Sequence, residues 1–125
     1  MTCFEFNPHP EASSDAREYV RDRLAKILPP RRLAEAQLLT TEVVTNAVLH
    51  AVLNADDVIR LTIDVQPETV CFSVVDPGEG FDIASVLPKT PTGEGGWGLF
   101  LVDKLSSRWG NGTSHPHRFW FEIDR

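Results

Sequence analysis

The chain is short of cysteine, of basic charge and of long apolar runs, and each shortage narrows what it can do. Cys3 and Cys71 stand far apart with no metal-type spacing. A thiolate metal site and a disulfide framework are therefore disfavoured, and both residues read as ordinary strand positions in a reducing compartment. Twelve Lys and Arg against 18 Asp and Glu leave a formal net charge of −6. A nucleic-acid binder needs a basic stripe to displace counterions, so direct nucleic-acid binding is not expected. The local pair Arg31-Arg32 reads as a solvated helix start. No stretch approaches the roughly 18 consecutive apolar residues of a membrane span. The amino terminus lacks the basic-then-apolar order of a signal peptide. A cytoplasmic location with no membrane association is the expectation.

What remains is material for one globular domain, 1–125. A hydrophobic fraction of 42% over 125 residues suits a soluble chain, and that length buries about two-thirds of its unfolded surface. Neither an internal repeat nor a linker is visible.

Cys3-Phe4-Glu5-Phe6 reads as a short edge strand, broken by Pro8 and Pro10. Ser14 or Asp15 can cap a helix running to about Leu28, with Tyr19, Val20, Leu24, Ile27 and Leu28 as its apolar stripe. Pro29-Pro30 ends it, and a second helix runs from near Arg31 to about Leu53. Residues 58–65 and 70–76 alternate apolar and polar around the turn Gln66-Pro67-Glu68-Thr69, which predicts an antiparallel hairpin. Residues 77–97, rich in glycine and proline, form a long loop of the kind that is functional or disordered. A helix from about Gly98 to Ser107 buries Leu99, Val102 and Leu105. A strand at Arg108-Trp109-Gly110, a turn at Asn111-Gly112 and a strand from Arg118 to Ile123 close the chain. The mixture predicts a two-layer α/β sandwich: a mixed, mostly antiparallel sheet covered on one face by helices.

Three segments carry polar chemistry. On the long helix Glu42, Asn46 and His50 stand four residues apart and form one row. Leu38, Leu39, Val43, Leu49 and Leu53 surround the row, and a helix apolar on almost all sides is normally buried. A buried carboxylate and carboxamide need partners. A divalent cation with phosphates would serve, since an Asn oxygen is a hard, neutral ligand for Mg²⁺. A partly desolvated Glu42 could act as a general base with a raised pKa. A core polar network with no ligand remains the alternative, and His50 reads as structural.

The second segment is Asp76-Pro77-Gly78-Glu79-Gly80-Phe81-Asp82. Asp76 shares parity with Val70, Phe72 and Val74, so its carboxylate points to the covered side of the sheet and needs a donor there. The exocyclic amine of adenine is one such donor, whereas guanine would present a repelling oxygen, which predicts ATP over GTP. The bland alternative is a strand followed by an acidic turn. The third segment is Gly93-Glu94-Gly95-Gly96-Trp97-Gly98-Leu99, whose free amides at a helix start can hold an anion. It has no Lys-Ser or Lys-Thr of a phosphate loop and no surrounding βαβ unit, so alone it would read as a flexible loop.

Taken in order, Glu-x-x-x-Asn, Asp-x-Gly-x-Gly and Gly-x-Gly-Leu resemble the GHKL ATP-binding superfamily of gyrase-type ATPases, histidine kinases and mismatch-repair ATPases. Thr45-Asn46-Ala47-Val48-Leu49-His50-Ala51, the Asp76 segment and Arg108-Trp109-Gly110 look most like the small actinobacterial anti-sigma-factor serine/threonine kinases, over essentially the whole chain. The resemblance implies that Asn46 holds Mg²⁺ and that Glu42 is the catalytic base. It implies that Asp76 binds the adenine amine, that Gly78 and Gly80 line the base, and that Gly96, Gly98 and Leu99 form the lid and helix start over the phosphates. It also implies ATP as substrate, phosphorylation of an anti-anti-sigma partner, sequestration of a sigma factor, and a tendency to homodimers. Two positions depart from the pattern. Trp97 stands where a smaller or basic residue is usual, and His117-Arg118 where the last strand often offers Thr. Arg118 could contact phosphate or obstruct the pocket.

The alternative function is a non-catalytic ATP-binding module that sequesters a sigma factor or another protein. The catalytic half of a histidine kinase is a weaker reading, because the segment ahead of the long helix is too short for a phospho-accepting helical hairpin. A gyrase-like machine is disfavoured because nothing follows the nucleotide domain to transmit strain.

Overall fold

A computed structural model describes residues 1–50, 54, 56–77, 97–112 and 117–125; of His50 and Trp97 only the backbone is described. The elements in chain order are β1 (Thr2–Phe6), α1 (Ala12–Leu24), α2 (Pro30–His50), β2 (Ile59–Val65), β3 (Thr69–Asp76), α3 (Trp97–Leu105), β4 (Arg108–Gly112) and β5 (His117–Asp124). The strands form one five-stranded sheet in the order β1-β2-β3-β5-β4. Every pairing among the described residues is antiparallel, so the expected mixed sheet is simpler than predicted.

Strict alternation gives the sheet two different faces. Ile59, Leu61 and Ile63 of β2, Val70, Phe72 and Val74 of β3, and Phe119, Phe121 and Ile123 of β5 are all buried. Phe72 and Phe121 face each other in register and stack with centroids 4.6 Å apart. Helices α1 and α2 supply Ala16, Val20, Leu24, Ala36, Leu39, Val43, Val44 and Ala47, and α3 supplies Leu99 and Val102. Burying each large apolar side chain contributes about 1.5–3 kcal/mol. The opposite face is more open. It is laced by Arg60–Glu5 (3.2 Å) and by Arg108 to Glu122 (2.9 Å) and Asp124 (2.7 Å).

Several boundaries differ from the sequence reading. Neither Ser14 nor Asp15 caps α1. The helix begins at Ala12, whose amide donates to the His9 carbonyl (3.0 Å), and Glu11 occupies the cap position without a side-chain bond. Its regular winding ends at Leu24. Ile27 and Leu28 then follow in a tightened turn, both amides donating to the Leu24 carbonyl. The paired prolines keep the helix from resuming, since Leu28, the residue before Pro29, is steered away from the helical region. Pro30 opens α2, a position where its missing N–H costs nothing.

The long helix is not buried on all sides. Leu38 is 39% and Leu49 70% exposed, because a two-layer fold leaves the outer side of each helix to water. Glu42 and Asn46 lie at the border and are half-buried. Asn111-Gly112 is not a turn. Both residues belong to β4, pairing with Phe119 and Arg118, and β5 begins one residue earlier than expected, at His117.

Candidate functional site

The helical layer and the sheet meet at the ends of α2, β3, α3 and β5. A small cavity of about 10 Å³ lies there, lined by Val43, Asn46, Ala47, Val74, Asp76, Leu99, His117 and Phe119. Helix α2 brings Glu42 and Asn46 to one face, a turn apart. The start of α3 lies directly against them. A Cβ built on Gly98 would stand 2.9 Å from Glu42 Oε2 and 3.3 Å from Asn46 Nδ2. Glycine at this position therefore permits the close approach of the two helices. Leu99, one residue on, is buried in the core.

The cavity's polar wall is Asp76 at the end of β3, buried as its parity predicts. Its in-register neighbour is His117, also buried, and His117 Nδ1 lies 3.2 Å from Asp76 Oδ2. His117 Nε2 in turn meets Asn111 Oδ1 on the edge strand β4. An ionised carboxylate only accepts, so in a hydrogen bond to it Nδ1 is the donor.

Four of the eight expected site residues, Glu42, Asn46, Gly98 and Leu99, thus converge on one side of the site, and Asp76 faces it from the sheet. Gly78, Gly80 and Gly96 lie outside the described residues, as does the Trp97 side chain. Arg118 is not in the cavity. It is exposed on the opposite face, where Nη2 donates to Ser73 Oγ (2.9 Å). The inward residue is His117. The signal was available in the alternation of Phe119, Phe121 and Ile123, which places position 117 inward and 118 outward.

The arrangement suits one kind of ligand. Asp76 beside His117, in a wall completed by Val74, Leu99 and Phe119, suits a flat heterocycle carrying an amine. The carboxylate and amide beside a helix start suit an anion with its cation. The chain belongs to the histidine kinase-like ATPase domain family, whose profile matches residues 6–113. It is accordingly an ATP-binding domain of the GHKL type.

Solved structures agree on the fold. The histidine kinase domain of the Erythrobacter litoralis blue-light activated histidine kinase superposes with a TM-score of 0.62 at 19% identity, over 89% of this chain and 58% of that one. This chain thus spans little more than half of that structure. The catalytic domain of histidine kinase ThkA gives 0.58 at 16% identity, over 99% and 98% of the two chains. Acinetobacter baumannii histidine kinase AdeS gives 0.57 at 15% identity, over 99% and 68%. No curated protein matches the chain. No helix among the described residues is long and apolar enough to cross a membrane.

Proposed function

We propose that the chain is an ATP-dependent serine/threonine protein kinase of the anti-sigma type, acting on an anti-anti-sigma partner to regulate transcription by partner switching. The observation that carries this is the close contact of Gly98 with Glu42 and Asn46 where α3 meets α2, Asn46 also lining the cavity walled by Asp76. Asp76 takes the adenine amine, with Gly78 and Gly80 lining the base, and Gly96, Gly98 and Leu99 cover the phosphates. Asn46 is the protein ligand for Mg²⁺, which supplies charge neutralisation at the phosphates when bound. Glu42 accepts the proton of the acceptor hydroxyl. The hydroxyl oxygen bonds to the γ-phosphorus, the bond from that phosphorus to the bridging oxygen breaks, and ADP leaves. The partner and the tendency to homodimers rest on the resemblance of the three motifs.

A second reading, an ATP-gated binding module without transfer, is favoured by the buried imidazole of His117 on the cavity wall, where the related pattern often has a small hydroxyl side chain.

Calorimetry with ATP and GTP, with and without Mg²⁺, tests the site. Adenine-selective, Mg²⁺-strengthened binding is expected. Labelled ATP with a purified anti-anti-sigma protein tests the activity. Acid-stable phosphoprotein supports a hydroxyl acceptor, and acid-labile product means a histidine acceptor. Bound ATP with no transfer leaves the second reading standing.

A further inference from the structure

We infer that His117 is a specificity-determining residue of the nucleotide site: its Nδ1–H fixes the Asp76 carboxylate as an acceptor, and this sets the preference for adenine over guanine. The inference rests on the ATP reading above and adds a residue to it.

Three observations converge. First, β5 places His117 on the inner face, where its alternating neighbours Phe119, Phe121 and Ile123 are all apolar. A polar ring at such a position is costly unless it is satisfied, and it is satisfied by Asp76. Second, the pair is buried, and it lines the cavity. Asp76 and His117 share its wall with Val74, Leu99 and Phe119. Third, the ring is held from both sides. Nδ1 meets Asp76 Oδ2 at 3.2 Å, while Nε2 meets Asn111 Oδ1 one strand further out.

The chain Asn111–His117–Asp76 runs across three adjacent strands, β4, β5 and β3. Its effect is to remove rotational freedom from the carboxylate. A carboxylate free to turn can swing away from guanine's carbonyl oxygen and lose little. A fixed one rewards the adenine amine and is left facing a repelling oxygen when guanine enters. Fixing a recognition group by a supporting shell is also what makes its discrimination sharp. Arg118 takes no part, because its guanidinium lies on the other face of the sheet.

The test is calorimetry of the full chain with Mg·ATP and Mg·GTP, comparing wild type, His117→Leu and His117→Asn. Leucine fills similar volume without a donor, and asparagine returns an N–H near the place of Nδ1. His117→Leu is expected to lower the ratio of ATP to GTP affinity by about tenfold, the order lost with one hydrogen bond to a charged group. His117→Asn is expected to keep the ratio within about threefold of wild type. A folded His117→Leu variant with the wild-type ratio overturns the assignment alone. A wild-type chain that binds neither nucleotide overturns the ATP reading and this assignment with it. If His117→Leu fails to fold, Asn111→Ala on the edge strand carries the test, since it leaves the imidazole in place but untethered. A ratio lowered about threefold is then expected, and an unchanged ratio overturns the proposal.

Discussion

Gly98 of α3 and Glu42 of α2 stand so close that a Cβ on the glycine would come within 2.9 Å of the glutamate's Oε2. That distance is shorter than real Cβ contacts allow, yet the obstructing atom is the end of a flexible side chain. Gly98→Ala should therefore displace the carboxylate rather than the helix. Alanine is also favoured over glycine in a helix by about 0.8–1 kcal/mol. The variant is expected to melt no lower than wild type while its phosphotransfer rate falls by about tenfold or more, as small misplacements of a catalytic group do. Thermal unfolding and single-turnover transfer on the same preparation decide it. Unchanged transfer would separate Glu42 from the chemistry.

Glu42 and Asn46 are neighbours on one helix, but their assigned roles predict opposite phenotypes. Asn46→Ala should remove the Mg²⁺ dependence of ATP binding and weaken the binding itself. Glu42→Ala should leave ATP bound and slow transfer by about 10²–10⁴-fold, the usual contribution of a general base. Both side chains are half-buried, so neither change should cost more than about 1 kcal/mol of stability. Measuring ATP affinity, transfer rate and urea midpoint together distinguishes the two. A Glu42→Ala enzyme that transfers at the wild-type rate would rule out the assigned base.

The parts of this fold that were legible in the sequence are those set by period and parity. Alternation in residues 58–65 and 70–76 places β2 and β3 and points Asp76 inward, where it lies. Four-residue spacing puts Glu42 and Asn46 on one face. What failed was decided by tertiary context. Leu38 and Leu49 look like core residues by hydropathy, but a two-layer architecture leaves them facing water. Asn111-Gly112 has the composition of a hairpin turn, yet β5 extends far enough to pair with both residues. At positions 117 and 118 the cation of Arg118 is the louder signal near a phosphate, yet it lies on the outer face and His117 on the inner one. Parity was the better guide. The closeness of Gly98 to Glu42 depends on where α3 lands on α2, which no local pattern encodes.

The stacked pair Phe72–Phe121 sits at the centre of the sheet's covered face, and both rings are fully buried. Truncating either to alanine removes the transfer free energy of the ring and leaves a cavity that the flanking strands cannot close. Phe121→Ala is expected to cost about 3–5 kcal/mol in urea unfolding. Trp120→Ala, its neighbour on the more open face, should cost less, although the indole covers Gly110. Equal losses would mean that the outer face is more tightly packed than its exposure indicates.

Cys71 offers a titration that reads the outer face directly. It lies in register between Asp64 on β2 and Glu122 on β5. Burial raises its thiol pKa first, the carboxylate of Glu122 raises it further, and Asp64 adds to this against the opposing pull of Arg118. A raised folded-state pKa means that the neutral thiol is the form the fold prefers. The associated stability is present below the unfolded thiol pKa of about 8.5 and is lost as pH rises through the higher folded value. In a Cys3→Ser background, the pH profile of alkylation at Cys71 should have its midpoint above that of the denatured chain. Glu122→Gln should move that midpoint partly back, since burial remains when the charge is gone. Folded protein that alkylates with the denatured chain's midpoint would show that neither burial nor Glu122 governs this thiol.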